Sequence, residues 1–129
     1  MILLSTVDNN MICKNIETLL DLDGVVIEQP GGHWVKFEVR RADASEEIPH
    51  GIRYSLTLHD RSGTRIMGFD NAHSVMGKTK RKHHGVKTYD HRHRYYQDKG
   101  IPYEFVDAVQ LLTDFWHEVD KILNINGLI

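Results

Sequence analysis

Four side chains in two short motifs can carry out acid–base chemistry. His91 and His93 lie two residues apart, so on a strand their rings share one face while Arg92 lies on the opposite face. Asp70 lies three residues before His73, close enough on a turn for the carboxylate to orient the imidazole and stabilise its protonated form. Imidazole gains or loses a proton near neutral pH. Together the motifs predict a general acid–base site, if the fold brings them to one place.

Each motif also has a simpler interpretation. The Asp-Asn pair at residues 70–71 is typical of a turn, and His73 can be an ordinary surface histidine. The run around His91 and His93 can be a solvated basic segment, and on a helix the two rings would diverge. Four other histidines are scattered and need no functional explanation: His33, His50, His59 and His117.

Charge is distributed unevenly along a chain whose formal net charge is only -2. Residues 78–99 hold eight lysines and arginines against two aspartates. Residues 1–30 and 101–129 each hold five acidic residues against one lysine. Five of the nine histidines lie in or beside the basic centre. Such a segment suits contact with phosphate groups; the alternative for residues 78–84 is a disordered charged loop.

Further charged side chains lie on the first long predicted strand. Glu38 and Arg40 are two residues apart on its polar face, where they form either a simple surface ion pair or the floor of an anion site. Arg92 and Arg94 interleave with the histidine pair. The candidate substrate-binding residues are therefore Glu38, Arg40, Arg92, Arg94, Lys80, Arg81 and Lys82.

The elements that must position these residues follow from hydrophobic periodicity. Apolar and polar residues alternate, or form a short apolar run, over four predicted strands: residues 25–27, 33–42, 52–59 and 64–70. The last two strands are joined by a tight turn at 60–63, which makes an antiparallel meander. Gly68 predicts a bulge or a close approach by another group. Residues 71–100 show little periodicity and are predicted to be a basic, His-rich functional loop.

Two helices complete the prediction. The first covers residues 8–22, and the second is about 20 residues long and begins at Pro102, which suits a first helical position. The apolar stripe predicted for the second helix is Phe105, Val109, Leu112, Trp116, Val119 and Leu123. The predicted fold class is α+β: an antiparallel β-meander packed against a long C-terminal helix and a shorter N-terminal helix, in one domain over residues 1–129.

Composition excludes several classes of protein. Hydrophobic residues make up 40% and charged residues 26%, which is typical of a folded domain. No apolar run approaches the length of a membrane span, and the N-terminus lacks the features of a secretory signal. The single cysteine, Cys13, excludes an internal disulfide and a Cys-rich zinc site. We therefore expect a cytoplasmic protein with no membrane contact.

The order and spacing of these motifs resemble a known family over residues 33–120. The matching pieces are Glu38-x-Arg40, the strand at 54–58 before a short turn, Asp70-Asn71-x-His73 and His91-x-His93. This pattern is similar to the TumE family of toxins from prokaryotic toxin–antitoxin modules. The chain departs from the family in a longer basic insert before His91-x-His93. The resemblance implies a toxin whose gene lies beside a gene for a helix-turn-helix antitoxin.

The leading hypothesis is a metal-independent endoribonuclease that needs no cofactor. Cleavage by the 2′-hydroxyl needs a base, an acid and cations for the phosphorane-like charge. Two of the three histidines in the motifs are expected to be the base and the acid, with Asp70 orienting His73. The three sets of residues are His73, His91 and His93 for proton transfer, Asp70 for orientation, and Arg40, Arg92 and Arg94 for the phosphate.

Two alternatives stay open. Asp70, His73, His91 and His93 also form a sensible set of metal ligands, so the nuclease can be metal-dependent. In the other, the basic loop binds nucleic acid or an acidic partner without catalysis. The expected partners are RNA and a cognate antitoxin, and the acidic terminal regions leave room for a homodimer.

Overall fold

The computed structural model describes residues 16–45, 48, 50–71 and 90–129. Four predicted site residues lie outside these ranges: His73, Lys80, Arg81 and Lys82. The first part of the predicted N-terminal helix, residues 8–15, also lies outside them. Residues 16–20 are helical and form the described part of helix α1, followed by turns to Gly24, where the prediction ended this helix.

Within the described ranges, six strands and a long helix follow α1. They are β1 (Val26–Glu28), β2 (Trp34–Arg41), β3 (Ile52–His59), β4 (Arg65–Asp70), β5 (His91–His93), β6 (Ile101–Pro102) and α2 (Ala108–Ile125), with a 3-10 turn at Pro30–Gly32 between β1 and β2. The strands form one antiparallel sheet in sequence order, from β1 to β6. The α+β class and the meander are thus confirmed. The prediction of a loop over all of residues 71–100 is wrong at β5, whereas the interpretation of His91-x-His93 as a strand is confirmed.

One face of the sheet forms the hydrophobic core with helix α2. Phe37 of β2 and Phe69 of β4 both contact the ring of Phe115 edge-on, with ring centroids 5.6 Å and 6.2 Å apart. Leu19 of α1 is buried in the same core. The fully buried residues of this face and of α2 include Val35, Leu56, Leu58, Met67, Leu111, Val119 and Leu123. Alternation along the strands therefore places a second set of side chains on the other side.

We call that other side the polar face. Its described residues are Val26 and Glu28 of β1, Trp34, Lys36, Glu38 and Arg40 of β2, Arg53, Ser55, Thr57 and His59 of β3, Arg65, Gly68 and Asp70 of β4, and His91 and His93 of β5. The register aligns Glu38, Ser55, Asp70 and His91 in one row across four strands. Such a row brings residues that are far apart in sequence within about 5 Å of each neighbour.

The start of helix α2 differs from the prediction. Pro102 lies in β6, at the edge of the sheet, where a residue without an N–H group is tolerated. The helix begins six residues later at Ala108, because the side chain of Asp107 caps it by accepting a hydrogen bond from the N–H of Gln110 at 2.8 Å. The predicted stripe is partly wrong as well, since Val109 is 53% exposed and Leu111 and Phe115 are buried instead.

Gly68 permits a close approach, as one of its two interpretations predicted. A Cβ atom there would lie 3.1 Å from both the carbonyl oxygen of Leu56 and the Cγ2 atom of Thr57. The irregularity in the pairing of β3 and β4 is not at Gly68 but nearer the hairpin turn, between Leu58 and His59. The bulge interpretation is therefore wrong for this position.

Candidate functional site

A carboxylate and two imidazoles converge on the polar face. Asp70 on β4 lies directly opposite His91 on β5, and His93 is two residues further along the same strand. The Nε2 atom of His93 is 3.1 Å from Oδ2 of Asp70, and the Nδ1 atom of His91 is 3.9 Å from Oδ1. The side chains of Asp70 and His93 are each 8% exposed, whereas that of His91 is 23% exposed. The sheet thus brings three of the four predicted acid–base residues together.

The contacts of Asp70 leave hydrogen-bonding capacity inside the cluster. Nε2 of His93 is close to Asp70, but the approach is not aligned as a hydrogen bond. Within the part of the chain that is described, Nε2 of His93 and Oδ1 of Asp70 are buried without a hydrogen-bond partner. Buried polar atoms of this kind are uncommon and point to a functional role. Arg65 adds a positive charge 3.8 Å from Oδ2 of Asp70.

The ring of His93 is held in one orientation by the turn after β5. Its Nδ1 atom donates to the carbonyl oxygen of Asp98 at 2.9 Å, because a carbonyl oxygen can only accept. The ring nitrogen that faces Asp70 is therefore Nε2. Gly100 lies against the same ring, where a Cβ atom would be 2.9 Å from Cε1 of His93. Gly100 also has a φ of +108°, which favours glycine.

Arg94 builds this turn. The carboxylate of Asp98 accepts hydrogen bonds from the backbone N–H and the Nε–H of Arg94, both at 2.8 Å, and from the N–H of Gly100 at 3.2 Å. These bonds, led by the one from the Arg94 side chain, hold the pKa of Asp98 well below its usual range. We therefore give Arg94 a structural role, although the sequence predicted that it binds a phosphate.

Arg92 lies on the opposite face from the histidines. Its guanidinium is 3.9 Å from the carboxylate of Glu118 on helix α2. The period of two along β5 predicts this placement, and it separates Arg92 from the site that it was predicted to serve. We therefore leave Arg92 out of the candidate site.

Asn71 fixes the end of β4, a role that the sequence analysis missed. Its side-chain oxygen accepts from the N–H of Tyr54, and its side-chain amide donates to the carbonyl oxygen of Ile52, both at 2.9 Å. The residue is 1% exposed. Asn71 thus continues the pairing with β3 through its side chain and holds Asp70 in place. The Asp-Asn pair is a feature of the sheet rather than an ordinary surface turn.

A buried polar network anchors the start of β5. The hydroxyl of Tyr54 donates to Oδ2 of Asp90 at 2.6 Å, and Nε2 of His50 lies 3.1 Å from the same oxygen. Burial, followed by the charge of Asp90, raises the pKa of Tyr54 well above its usual value. Because Asp90 precedes His91, this network helps to position the histidine strand. His50 therefore has a structural role that its sequence position did not indicate.

A cleft of about 300 Å³ adjoins the row that contains Asp70. Arg40 and Arg53 are direct cross-strand partners in it, next to the Glu38–Ser55 pair. The carboxylate of Glu38 is 3.3 Å from Nζ of Lys36, so it pairs with that cation. The cleft is lined by Asp23, Glu38, Val39, Arg40, Arg53, Tyr54 and Ser55. Glu38, Arg40 and Arg53 thus share the polar face with Asp70, His91 and His93, which we call the acid–base cluster.

The described ranges contain no preformed metal site. Among those residues, no group of three or more His, Cys, Asp or Glu side chains is arranged to hold a metal ion. His73, which belonged to the alternative ligand set, lies outside these ranges.

Fold and site together define a small α+β protein with an acid–base cluster on one face of an antiparallel sheet. The family model for the toxin TumE matches residues 33–123, and the chain belongs to the TumE toxin family. It is therefore the toxin component of a toxin–antitoxin system, which implies a cognate antitoxin as partner. No curated protein and no solved structure matches the chain. None of the described helices is long and apolar enough to cross a membrane.

Proposed function

We propose that this toxin is a metal-independent endoribonuclease whose acid–base chemistry is carried by the cluster of Asp70, His91 and His93. The observation that carries the proposal is the convergence of both imidazoles on one buried carboxylate. The contacts are 3.1 Å and 3.9 Å long and join two strands of the sheet. A purely structural ion pair would need one cation for Asp70, whereas the site holds Asp70 beside two imidazoles and a guanidinium.

The proposed reaction is transfer of a phosphodiester to the neighbouring 2′-hydroxyl. A base removes the proton of the 2′-hydroxyl, the oxygen forms a bond to phosphorus, and the bond to the 5′-oxygen breaks as an acid protonates that oxygen. The products are a 2′,3′-cyclic phosphate and a free 5′-hydroxyl. Cations near the phosphate stabilise the charge that builds up in the transition state.

Exposure separates the roles of the two histidines. His91 is the more exposed ring, so we assign to it the contact with the reacting oxygen. We assign to the buried Asp70 and His93 the role of orienting His91. Asp98 and Gly100 hold the ring of His93 from the other side. The reaction needs a second proton-transfer group besides His91. The candidates are His93, which lies in the cluster, and His73, which is proposed from the sequence alone.

The test measures cleavage of single-stranded RNA and of total cellular RNA by the purified toxin. His91→Ala should lower the cleavage rate by about 100-fold or more, as expected for loss of a general acid or base. His117→Ala, which changes an exposed histidine on helix α2, is the matched control and should cleave like the wild type. An oligonucleotide with 2′-deoxyribose throughout should not be cleaved.

Three results would contradict the proposal. One is cleavage by His91→Ala at the wild-type rate, and another is the absence of any RNA product from the wild type. The third is loss of activity on chelation with recovery on adding a divalent metal, which would support the metal-dependent alternative. Growth arrest on expression of the wild type, reversed by its antitoxin, provides a check that the protein is active.

A further inference from the structure

The proposed reaction needs a cation at the phosphate, and the arginines predicted for that role do not lie beside the acid–base cluster. Arg92 is on the opposite face, and Arg94 is bonded within the turn after β5. Arg40 lies on β2, two strands away from β4. Arg65, which the sequence analysis did not select, is closer: its guanidinium lies 3.8 Å from Oδ2 of Asp70.

A bulge in β4 places Arg65 on the polar face. Gly68 lies on this face, so strict alternation would put residue 66 there and Arg65 on the core side. The pairing of β4 with β3 changes register here: Met67 pairs with the residue before His59, and Arg65 pairs with His59 itself. Ile66 is therefore an extra residue, and its side chain packs against the hydrophobic core. Bulges re-aim side chains in this way and are frequent next to active sites.

The absence of a side chain at Gly68 lets Arg65 run along the strand. A Cβ atom at Gly68 would lie 3.6 Å from Cδ of Arg65, so the stem of the arginine passes over the glycine toward Asp70. The guanidinium reaches Oδ2 of Asp70, the oxygen that also faces Nε2 of His93. The side chain of Arg65 is 35% exposed, whereas Asp70 is buried. Arg65 is therefore the member of this contact that a ligand can reach.

The guanidinium of Arg65 retains its capacity to donate hydrogen bonds. Its distance of 3.8 Å from Asp70 is too long for a hydrogen bond, and within the described ranges it makes none. A guanidinium presents five N–H donors in a planar fork that matches the oxygens of a phosphate. The charge of Arg65 offsets that of Asp70, so these two groups and the two imidazoles carry a net positive charge once either ring is protonated. An anion can therefore bind here despite the carboxylate.

We propose that Arg65 binds the phosphate of the bond that is cleaved. Its N–H groups donate to the non-bridging oxygens, and its charge stabilises the negative charge that these oxygens gain in the transition state. Asp70 lies between Arg65 and His91, with Oδ2 toward the arginine and Oδ1 toward the histidine. The proposal rests on the proposed function for the identity of the phosphate, but not for the anion site itself.

Binding of inorganic phosphate tests the anion site without RNA. Titration of the wild type with phosphate should shift the imidazole NMR signals of His91 and His93 and give a Kd. Arg65→Gln should raise this Kd by about tenfold or more, as expected for loss of hydrogen bonds from a charged donor. Arg65→Lys keeps the charge but not the fork, so its Kd should lie between the two. Arg61→Gln is the matched control, because Arg61 is an exposed arginine in the turn before β4, and it should bind phosphate like the wild type.

RNA cleavage tests the role of Arg65 in the reaction. Arg65→Gln should lower kcat by about 100-fold or more, as expected for loss of a group that stabilises charge in the transition state. Arg61→Gln should cleave like the wild type. Urea unfolding of each variant gives the folded fraction to which the rates are normalised, and Arg65→Lys supplies both measurements if Arg65→Gln does not fold.

A phosphate Kd that is unchanged in both Arg65 variants would overturn the proposal. Loss of cleavage in Arg65→Gln with full activity in Arg65→Lys and no change in the phosphate Kd would also overturn it, because Arg65 would then only balance the charge of Asp70. Loss of cleavage in His91→Ala but not in the Arg65 variants would leave the proposed function standing and remove this one. Phosphate binding through Arg65 in a wild type that cleaves no RNA would support the anion site and contradict the proposed function.

Discussion

His93 is held from two sides by residues with no sequence signal to connect them to it. The carbonyl group of Asp98 fixes its Nδ1 atom, and Gly100 leaves room for its ring. The pairing of His91 with His93 was predictable, because residues two apart share a face of a strand. The contacts of Asp98 and Gly100 were not, since they depend on the shape of a turn with a φ of +108° at Gly100.

Gly100→Ala tests this arrangement at the residue scale. The added Cβ would lie 2.9 Å from Cε1 of His93 and displace the ring, so we expect RNA cleavage to fall by about tenfold or more. The imidazole signals of His93 in NMR spectra should shift as well. Gly63→Ala is the matched control, because Gly63 has a φ of +93° with nothing within 4 Å of an added Cβ. Both variants should lose about 1–2 kcal/mol of stability through backbone strain, but Gly63→Ala should keep full activity.

At the scale of elements, a strand or helix could be predicted where its hydrophobic periodicity was strong. Strands β2, β3 and β4 carry clear alternation, and the structure confirms all three. β5 has three residues within the basic segment, and β6 has two residues just after it; both strands are too short to show a period. Helix α2 begins later than expected because the Asp107 cap decides its start, whereas Pro102 pairs at the sheet edge. The same reason limited prediction of the candidate site. Asp70, His91 and His93 lie on strands and could be predicted, whereas Asp98 and Gly100, which position His93, lie in a turn and could not.

The turn between β5 and β6 should make stability depend on pH. Hydrogen bonds from Arg94 and Gly100 lower the pKa of Asp98 in the folded state, so its contribution is fully present above its unfolded pKa of about 3.9. That contribution is lost as the pH falls through the lower, folded value. We expect Asp98→Asn to be less stable than the wild type at pH 7, with the difference shrinking below about pH 4. Urea unfolding at several pH values measures this, and a difference that is constant down to pH 2 would contradict it.

At the scale of the whole molecule, one face of the sheet forms the hydrophobic core and the other carries the candidate site. Phe115 of helix α2 packs against Phe37 and Phe69 on one face, while the acid–base cluster lies on the other. Substitution of Phe115 should therefore act on folding rather than on chemistry. We expect Phe115→Ala to lower the free energy of unfolding by about 3–5 kcal/mol. RNA cleavage should fall only in proportion to the folded fraction, which circular dichroism measures. A much larger loss of cleavage would contradict the separation of core and site on the two faces.

The row across the strands has a consequence for when the toxin becomes dangerous during its own synthesis. Asp70 leaves the ribosome before His91 and His93, and the sheet that joins them needs Leu111 and Phe115, which emerge later still. A nascent chain can therefore contain Asp70, His91 and His93 before the sheet has brought them together. On the proposed function, the activity would arise only once helix α2 has docked, so an antitoxin can meet the chain before the site has formed.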